Sequence, residues 1–269
     1  MESLLLQIGK QTSRVPPIKW FGPVVIAILF AYFGALRVVQ MVFRRKGDKV
    51  DSFLEANVLG FKMRLNPGEF VDCALLLFPQ FYDNRELDYM RKRLKPGDVF
   101  VDVGSHIGLY SMVASRKVGP GGRVIALEAS PETFERLQWT ISDNGADNID
   151  SVHVGLSDRE ETLTLSMVAP PFEAASTFLI EEGRGAQVSC RPLLDVLQEA
   201  GVDHITGMKL DIEGFEHKVL SRFLADADES MYPEFMIVEV NPDLVRAGGG
   251  NPLPLLEKNG YKLAKSIWI

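Results

Sequence analysis

The chain has 269 residues, enough for one large α/β domain and an extension, and its 46% hydrophobic and 24% charged residues exclude wholesale disorder. A formal net charge of −7 argues against a general nucleic-acid binder, whose phosphate contacts need a surplus of Lys and Arg. The two cysteines, Cys73 and Cys190, lie far apart in apolar surroundings and read as buried thiols of a reducing compartment; no Cys/His spacing suggests zinc.

From Trp20 ("WFGPVVIAILFAYFGAL") no side chain is charged until Arg37, and the apolar run then resumes to Phe43 before Arg44, Arg45 and Lys46 close it. Residues 20–43 are long enough to cross a bilayer as a helix, which takes about 20 apolar residues, or to lie in its plane. A basic cluster stands where a signal peptide would carry its small-residue cleavage site. Arg37, Arg44, Arg45 and Lys46 slightly outweigh Lys10, Arg14 and Lys19, which places the rest of the chain in the cytoplasm. Residues 1–50 are therefore expected to be a hydrophobic membrane-associating segment; a buried or dimer-forming helix is the alternative.

Residues 51–97 read as a β-rich lead-in with the turn "NPG" and a helical pattern in "NRELDYMRKRL". Over 98–269 strand and helix patterns alternate. Strands are expected at 99–103, 123–127, 151–154, 162–167, 187–190, 206–210, 235–240 and 261–264, and helices at 109–116, 131–143, 192–199, 215–223 and 254–258. That alternation predicts a Rossmann-like α/β fold with a mixed, mostly parallel sheet, whose ligands bind beyond the C-terminal strand ends.

The first such end is "VFVDVGSHIGLY". A dinucleotide turn is G-x-G-x-x-G, and here His106 stands in place of the middle glycine, which disfavours a pyrophosphate and a nicotinamide dehydrogenase. Asp102 ahead of Gly104, Ser105, His106 and Gly108 suits a cationic ligand instead, and S-adenosylmethionine carries an ammonium and a sulfonium. Glu128 ends the next strand, 20 residues beyond Gly108, where an acidic side chain accepts from ribose hydroxyls; Ala129 follows it, and Ser130 before Pro131 reads as a helix cap. Ser157 and Asp158 in "VGLSD" are candidates for the adenine edge, or for a plain turn.

A second constellation is "GMKLDIEGFEHKVL", which sets Lys209, Asp211, Glu213 and Glu216 around another strand end. Buried charges of this kind pair or serve a ligand. Asp211, Glu213, His217 and His106 are the catalytic candidates, an imidazole or carboxylate accepting a hydroxyl proton. Asp211, Glu239 and Asn241 form an oxygen set open to a divalent cation, although no metal is expected.

Taken together, "LKPGDVFVDVGSHIGLYS", "LEASPETFERL", "VGLSD" and "MKLDIEGFEHKVL" resemble the FkbM family of S-adenosylmethionine-dependent methyltransferases, over residues 57–261. The resemblance implies a class I methyltransferase fold with about seven strands, and O-methylation of a hydroxyl on a sugar, glycolipid or polyketide-like product. It places Asp102, Gly104, Gly108 and Glu128 at cofactor positions, Asp158 near adenine, and Asp211 and Glu213 in an acidic signature. Where this chain has His106 the family more often has Asn. The expected function is methylation of a lipid-linked saccharide or small-molecule acceptor by a membrane-associated enzyme facing the cytosol. N-methylation and a tethered cofactor-binding module without turnover are the alternatives.

Overall fold

The computed structural model describes residues 3–8, 53–167, 176–178 and 185–268. The apolar segment 20–43 lies outside the described residues, and among those described no helix is long and apolar enough to cross a membrane.

Strand β1 (Ser3–Ile8) had no counterpart in the expected elements. After it, β2 (Leu54–Val58) and β3 (Phe61–Leu65) form an antiparallel hairpin around Leu59 and Gly60, both at positive φ, the turn hand that matches strand twist. Helices α1 (Phe70–Leu77) and α2 (Asn84–Arg93) complete the lead-in. α1 falls where the sequence predicts a β-rich stretch, because a short, mostly apolar run such as "FVDCALLL" carries no period to tell helix from strand.

The alternation beyond residue 98 is realised as β4 (Val99–Val103), α3 (Leu109–Val118), β5 (Arg123–Glu128), α4 (Pro131–Asp143), β6 (Ile149–His153), β7 (Gly155–Leu156), β8 (Glu161–Met167), β9 (Ser176–Phe178), β10 (Ala186–Arg191), α5 (Leu193–Glu199), β11 (Gly207–Leu210), α6 (Glu216–Asp226), β12 (Phe235–Val240), α7 (Pro252–Lys258) and β13 (Leu263–Trp268). Five strands in the order β12-β11-β4-β5-β6 form a parallel sheet of the class I methyltransferase type. On its β12 edge β1 and then β13 continue the order, also in parallel.

Two of the expected strands do not join this sheet. β8 and β10 pair antiparallel with each other in a separate sheet ordered β7-β10-β8-β9. Their alternation of apolar and polar residues fits a sheet with one wet face, whereas strands buried on both faces read as continuous apolar runs.

The sheet separates two apolar cores, and the period of two assigns side chains between them. On one face Val101, Val103, Ile125, Leu127, Met208, Leu210, Met236 and Val238 pack under α5, α6 and α7. On the other, Phe100, Val124, Ala126, Phe235 and Ile237 pack with α2, α3 and the hairpin. Register pairs Lys209 with Asp102 and with Ile237, so Asp102 and Lys209 share the second face; two residues along, Asp211 and Glu239 follow them. Both cysteines are buried and unlinked.

Candidate active site

The turn after β4 is held from behind by backbone. The amides of Gly104 and Ser105 both donate to the Leu127 carbonyl at 3.0 Å, and the Ser105 hydroxyl donates to the Asp102 carbonyl at 2.8 Å. Gly104 has φ +74°, and a Cβ there would lie 2.0 Å from the Asp211 carbonyl oxygen; at Gly108, with φ +94°, it would meet Leu137 Cδ1 at 2.7 Å. These glycines therefore let β4 approach β11 and α4. The Ser105 hydroxyl proton and the space beside the Cα atoms of Gly104 and Gly108 are taken up by the protein's own packing.

Asp102 is fully buried, with Oδ2 accepting from the Ser111 hydroxyl at 2.6 Å. Burial pushes its carboxyl up, and the Lys209 ammonium opposes that. Oδ1 has no hydrogen-bond partner among the described residues. A buried acceptor left unpaired costs about 1–3 kcal/mol, so this oxygen is poised for a donor or cation brought by a ligand.

Glu128 ends β5 with both oxygens on backbone amides, Oε2 on His106 at 2.9 Å and Oε1 on Ser130 at 2.8 Å. It thus bridges the glycine turn and the start of α4, where Ser130 caps the helix by accepting from the Thr133 amide. Each oxygen retains a lone pair for a ribose hydroxyl. Ala129 gives its carbonyl to His153 Nε2 at 3.0 Å.

His106 adopts φ +50° and turns toward α1, where its ring nitrogen and carboxylate oxygens of Glu69 and Asp72 lie within 4.8 Å of one another. Arg136 ion-pairs with both acids and donates to the Arg64 carbonyl, clamping the lead-in to α4. Burial, then Arg136, pushes the His106 imidazole down to about 4, so it is neutral at neutral pH. Nothing in the sequence marks Glu69, Asp72 or Arg136, since Arg136 lies more than 60 residues beyond the two acids.

The second constellation closes at the end of β11. Lys209 Nζ sits 2.8 Å from Asp211 Oδ2 and 4.9 Å over the Tyr110 ring, whose hydroxyl donates to Asp83 at 3.0 Å. Burial raises the Asp211 carboxyl, but the Lys209 ammonium together with hydrogen bonding to the ionised group outweighs it and holds the group down at about 2. Oxygens of Asp211, Glu213 and Glu239 lie within 4.8 Å of one another. Two negative charges at that distance repel by roughly 3 kcal/mol at an effective dielectric of about 20. Burial and then Asp211 accordingly push Glu213 up to about 8, and raise Glu239 well above the ordinary carboxylate range. Glu213 itself sits at φ +51°, a conformation its turn imposes. Glu216 holds that turn by accepting from the Ile212 and Gly214 amides, both at 2.9 Å. Asn241, the third member of the expected oxygen set, is used instead to cap the next turn through the Asp243 amide at 3.0 Å.

Three expected residues stand apart from this centre. His217 packs on Gly250 and lines an open groove of about 650 Å³ with Asp158, Phe215 and Lys218. Asp158 pairs with Lys218 at 3.1 Å. Ser157 gives its hydroxyl to Glu161, with its amide on the Arg191 carbonyl at 3.0 Å. The structure brings together Asp102, Glu128, His106, Asp211 and Glu213, and adds Glu239, Lys209, Tyr110 and Asp83 around them.

A parallel α/β sheet with a glycine turn, an acid at each of the first two strand ends and an acidic cluster at the third defines a nucleotide-cofactor transferase of the class I methyltransferase type. Residues 102–263 match the model of the methyltransferase FkbM domain, so the chain belongs to that family and is an S-adenosylmethionine-dependent methyltransferase. It is 27% identical over 228 residues to "31-O-demethyl-FK506 methyltransferase FkbM" of Streptomyces tacrolimicus, covering 73% of this chain and 84% of that one. Among solved structures it is similar to a precorrin-6y C5,15-methyltransferase from Geobacter metallireducens, with 19% identity, a TM-score of 0.40 and 66% of this chain and 70% of that chain covered. It is also similar to a methyltransferase FkbM from Methylobacillus flagellatus, with 18% identity, a TM-score of 0.33 and coverage of 73% and 45%.

The residues present fit this cofactor. Unpaired Asp102 Oδ1 and the excess of carboxylates over cations at the turn suit an amino acid that carries both an ammonium and a sulfonium, and Glu128 retains acceptor capacity for a diol.

Proposed function

We propose that the protein methylates a hydroxyl group of a sugar, glycolipid or related lipid-linked acceptor, at a membrane surface and with its catalytic domain in the cytoplasm. When bound, S-adenosylmethionine supplies an electrophilic methyl group that a nucleophile takes by direct displacement. Asp102, His106 and Glu128 order the glycine turn that holds it. Asp211, kept ionised by Lys209, gives the site a fixed negative charge, and Glu213 receives the hydroxyl proton as the new C–O bond forms.

The observation that carries this reading is the cluster at the end of β11, where Glu213 lies within 4.8 Å of Asp211 and Glu239 and burial beside Asp211 pushes it up to about 8. A base of that strength near operating pH is what a hydroxyl nucleophile needs as its proton leaves, and general-base assistance of this kind contributes on the order of 100-fold or more. The Streptomyces relative is named for methylation at an oxygen, which supports the same choice over nitrogen.

Membrane association rests on the apolar run 20–43 and its basic flank. The pairing of β1 with β12 favours attachment in the membrane plane over a single crossing, since one crossing would put β1 and the catalytic domain on opposite sides.

The test is methyl transfer from methyl-tritiated S-adenosylmethionine into a detergent-solubilised total lipid extract, with mass spectrometry of the labelled product. The expected product is one methylene heavier than its precursor and carries a methyl ether. A methylated amine, or no transfer to lipid or saccharide fractions, overturns the acceptor class. Deletion of residues 20–43, which keeps β1, should reduce recovery in membranes; unchanged recovery overturns the attachment.

A further inference from the structure

Glu239 occupies a position that the reaction as described leaves unused. It lies near the end of β12, two residues beyond Ile237 and on the same face as Asp211, and each residue directly follows the last registered pair of β11 and β12, Leu210 with Val238. Asp211 Oδ2 is taken by the Lys209 ammonium at 2.8 Å. Oxygens of Asp211, Glu213 and Glu239 lie within 4.8 Å of one another, which puts the Asp211 and Glu239 carboxyl groups within reach of a shared proton.

A hydrogen bond between two carboxyl groups requires one proton. Asp211 faces Lys209 and has every reason to remain ionised, so the proton belongs on the other partner. The groups facing Glu239 are Asp211 and Glu213 from the turn after β11, Lys209 from β11, and Tyr82 from the loop before α2. Of these only Lys209 is cationic, and it is spent on Asp211. With three carboxylates and one ammonium this part-buried corner would carry two net negative charges, and each retained proton removes one of them.

We propose that Glu239 is a positioning residue that works as a neutral acid: its carboxyl hydrogen is donated to Asp211, opposite the Lys209 ammonium, and locks the Asp211 carboxylate in one orientation. Asp211 is then gripped from β11 and from β12, and Glu213 is left as the group that gains and loses a proton. Burial and the neighbouring Asp211 charge both favour the protonated form of Glu239. The inference rests on the proposed role of the Asp211 corner in methyl transfer, but its first test does not need turnover.

Infrared difference spectra of the full-length protein in detergent, parent minus Glu239→Gln at neutral pH, should show the carbonyl band of a protonated carboxylic acid that the variant lacks. A difference confined to carboxylate bands overturns the proposal whatever the enzyme methylates. The positioning role is read from two variants. Glu239→Gln keeps a hydrogen-bond donor at the same reach and should keep methyl transfer to the lipid extract within about threefold, with an unchanged pH profile. Glu239→Ala removes the donor and should lose on the order of tenfold, the worth of a hydrogen bond to a charged group, while calorimetric binding of S-adenosylmethionine shows the variant folded. Equal loss in both variants, or disappearance of the pH dependence in Glu239→Gln, means that Glu239 acts through its charge and overturns the proposal. If the parent itself transfers no methyl group, the proposed acceptor fails while the infrared result still decides the state of Glu239.

Discussion

Lys209 and Asp211 point to the same side of one strand end, Nζ 2.8 Å from Oδ2, and no second cation shares the Asp211 carboxylate among the described residues. The pair sits beside a fully buried aspartate, Asp102, so the single ammonium balances more than one acid.

Lys209→Met should therefore unbalance the whole corner. Asp211 is lowered from 3.8 to about 2 in the folded protein, so its contribution is fully present above pH 3.8 and is lost as pH falls through about 2. Removing one partner of a buried pair leaves an uncompensated charge, and we expect a loss of about 3 kcal/mol at neutral pH in urea unfolding. In the variant the acid limb of stability should move upward in pH; an unchanged limb would show that Lys209 does not hold Asp211 ionised.

Glu213 has the opposite sign. Its carboxyl is raised from 4.5 to about 8, so between those values the folded protein keeps a proton that the unfolded chain releases, and stability declines as pH rises across that window. Glu213→Gln should remove the slope. Methyl transfer should rise as pH passes through about 8, and in Glu213→Gln it should fall by on the order of 100-fold and lose that dependence.

Gly104→Ala and Gly97→Ala separate two uses of glycine. Both positions have positive φ, but a Cβ at Gly104 would lie 2.0 Å from a carbonyl oxygen, whereas Gly97 has nothing within 4 Å. Gly97→Ala should cost about 1 kcal/mol, the backbone penalty alone. Gly104→Ala should cost about 3 kcal/mol or more and abolish cofactor binding, because β4 must back away from β11. Equal losses in thermal unfolding would count against the close approach.

Glu128→Ala deprives the amides of His106 and Ser130 of their acceptor. A loss of about 2–3 kcal/mol is expected, since hydrogen bonds to charged groups are the stronger kind. Calorimetry should show S-adenosylmethionine bound on the order of tenfold more weakly or worse; undiminished affinity would confine Glu128 to ordering the turn.

His106→Asn should be mild. Asn tolerates positive φ, and an imidazole pushed down to about 4 carries no charge at neutral pH. Stability should change by about 1 kcal/mol, and the pH profile above about 5 should be unchanged. A limb lost on the acid side would assign proton transfer to His106.

The backbone plan was legible because its signals are local. Val99–Val103 is a continuous apolar strand broken only by Asp102, Pro131 and Ser130 announce α4, and "MKLDIEG" sets its charges at period two. The same logic failed where locality gives out. α1 has no period, β8 and β10 chose each other over the main sheet, and β1 comes from residues with no strand signal of their own.

Within the site, residue types and spacing determined that Asp102, Glu128, Asp211 and Glu213 stand at strand ends, since a strand's period and the glycine turn after it are written in consecutive residues. Tertiary structure alone decided what each one faces. Glu239 meets Asp211 only because β12 pairs in register with β11; His106 turns to Glu69 and Asp72 because Arg136 draws the lead-in against α4; and His217 looks into a different groove because α6 rotates it toward Gly250. Charge balance is a property of that packed neighbourhood: the Lys209 and Asp211 charges are neighbours in sequence, but the burial that makes them count, holding one acid at about 2 and another at about 8, comes from the packed fold.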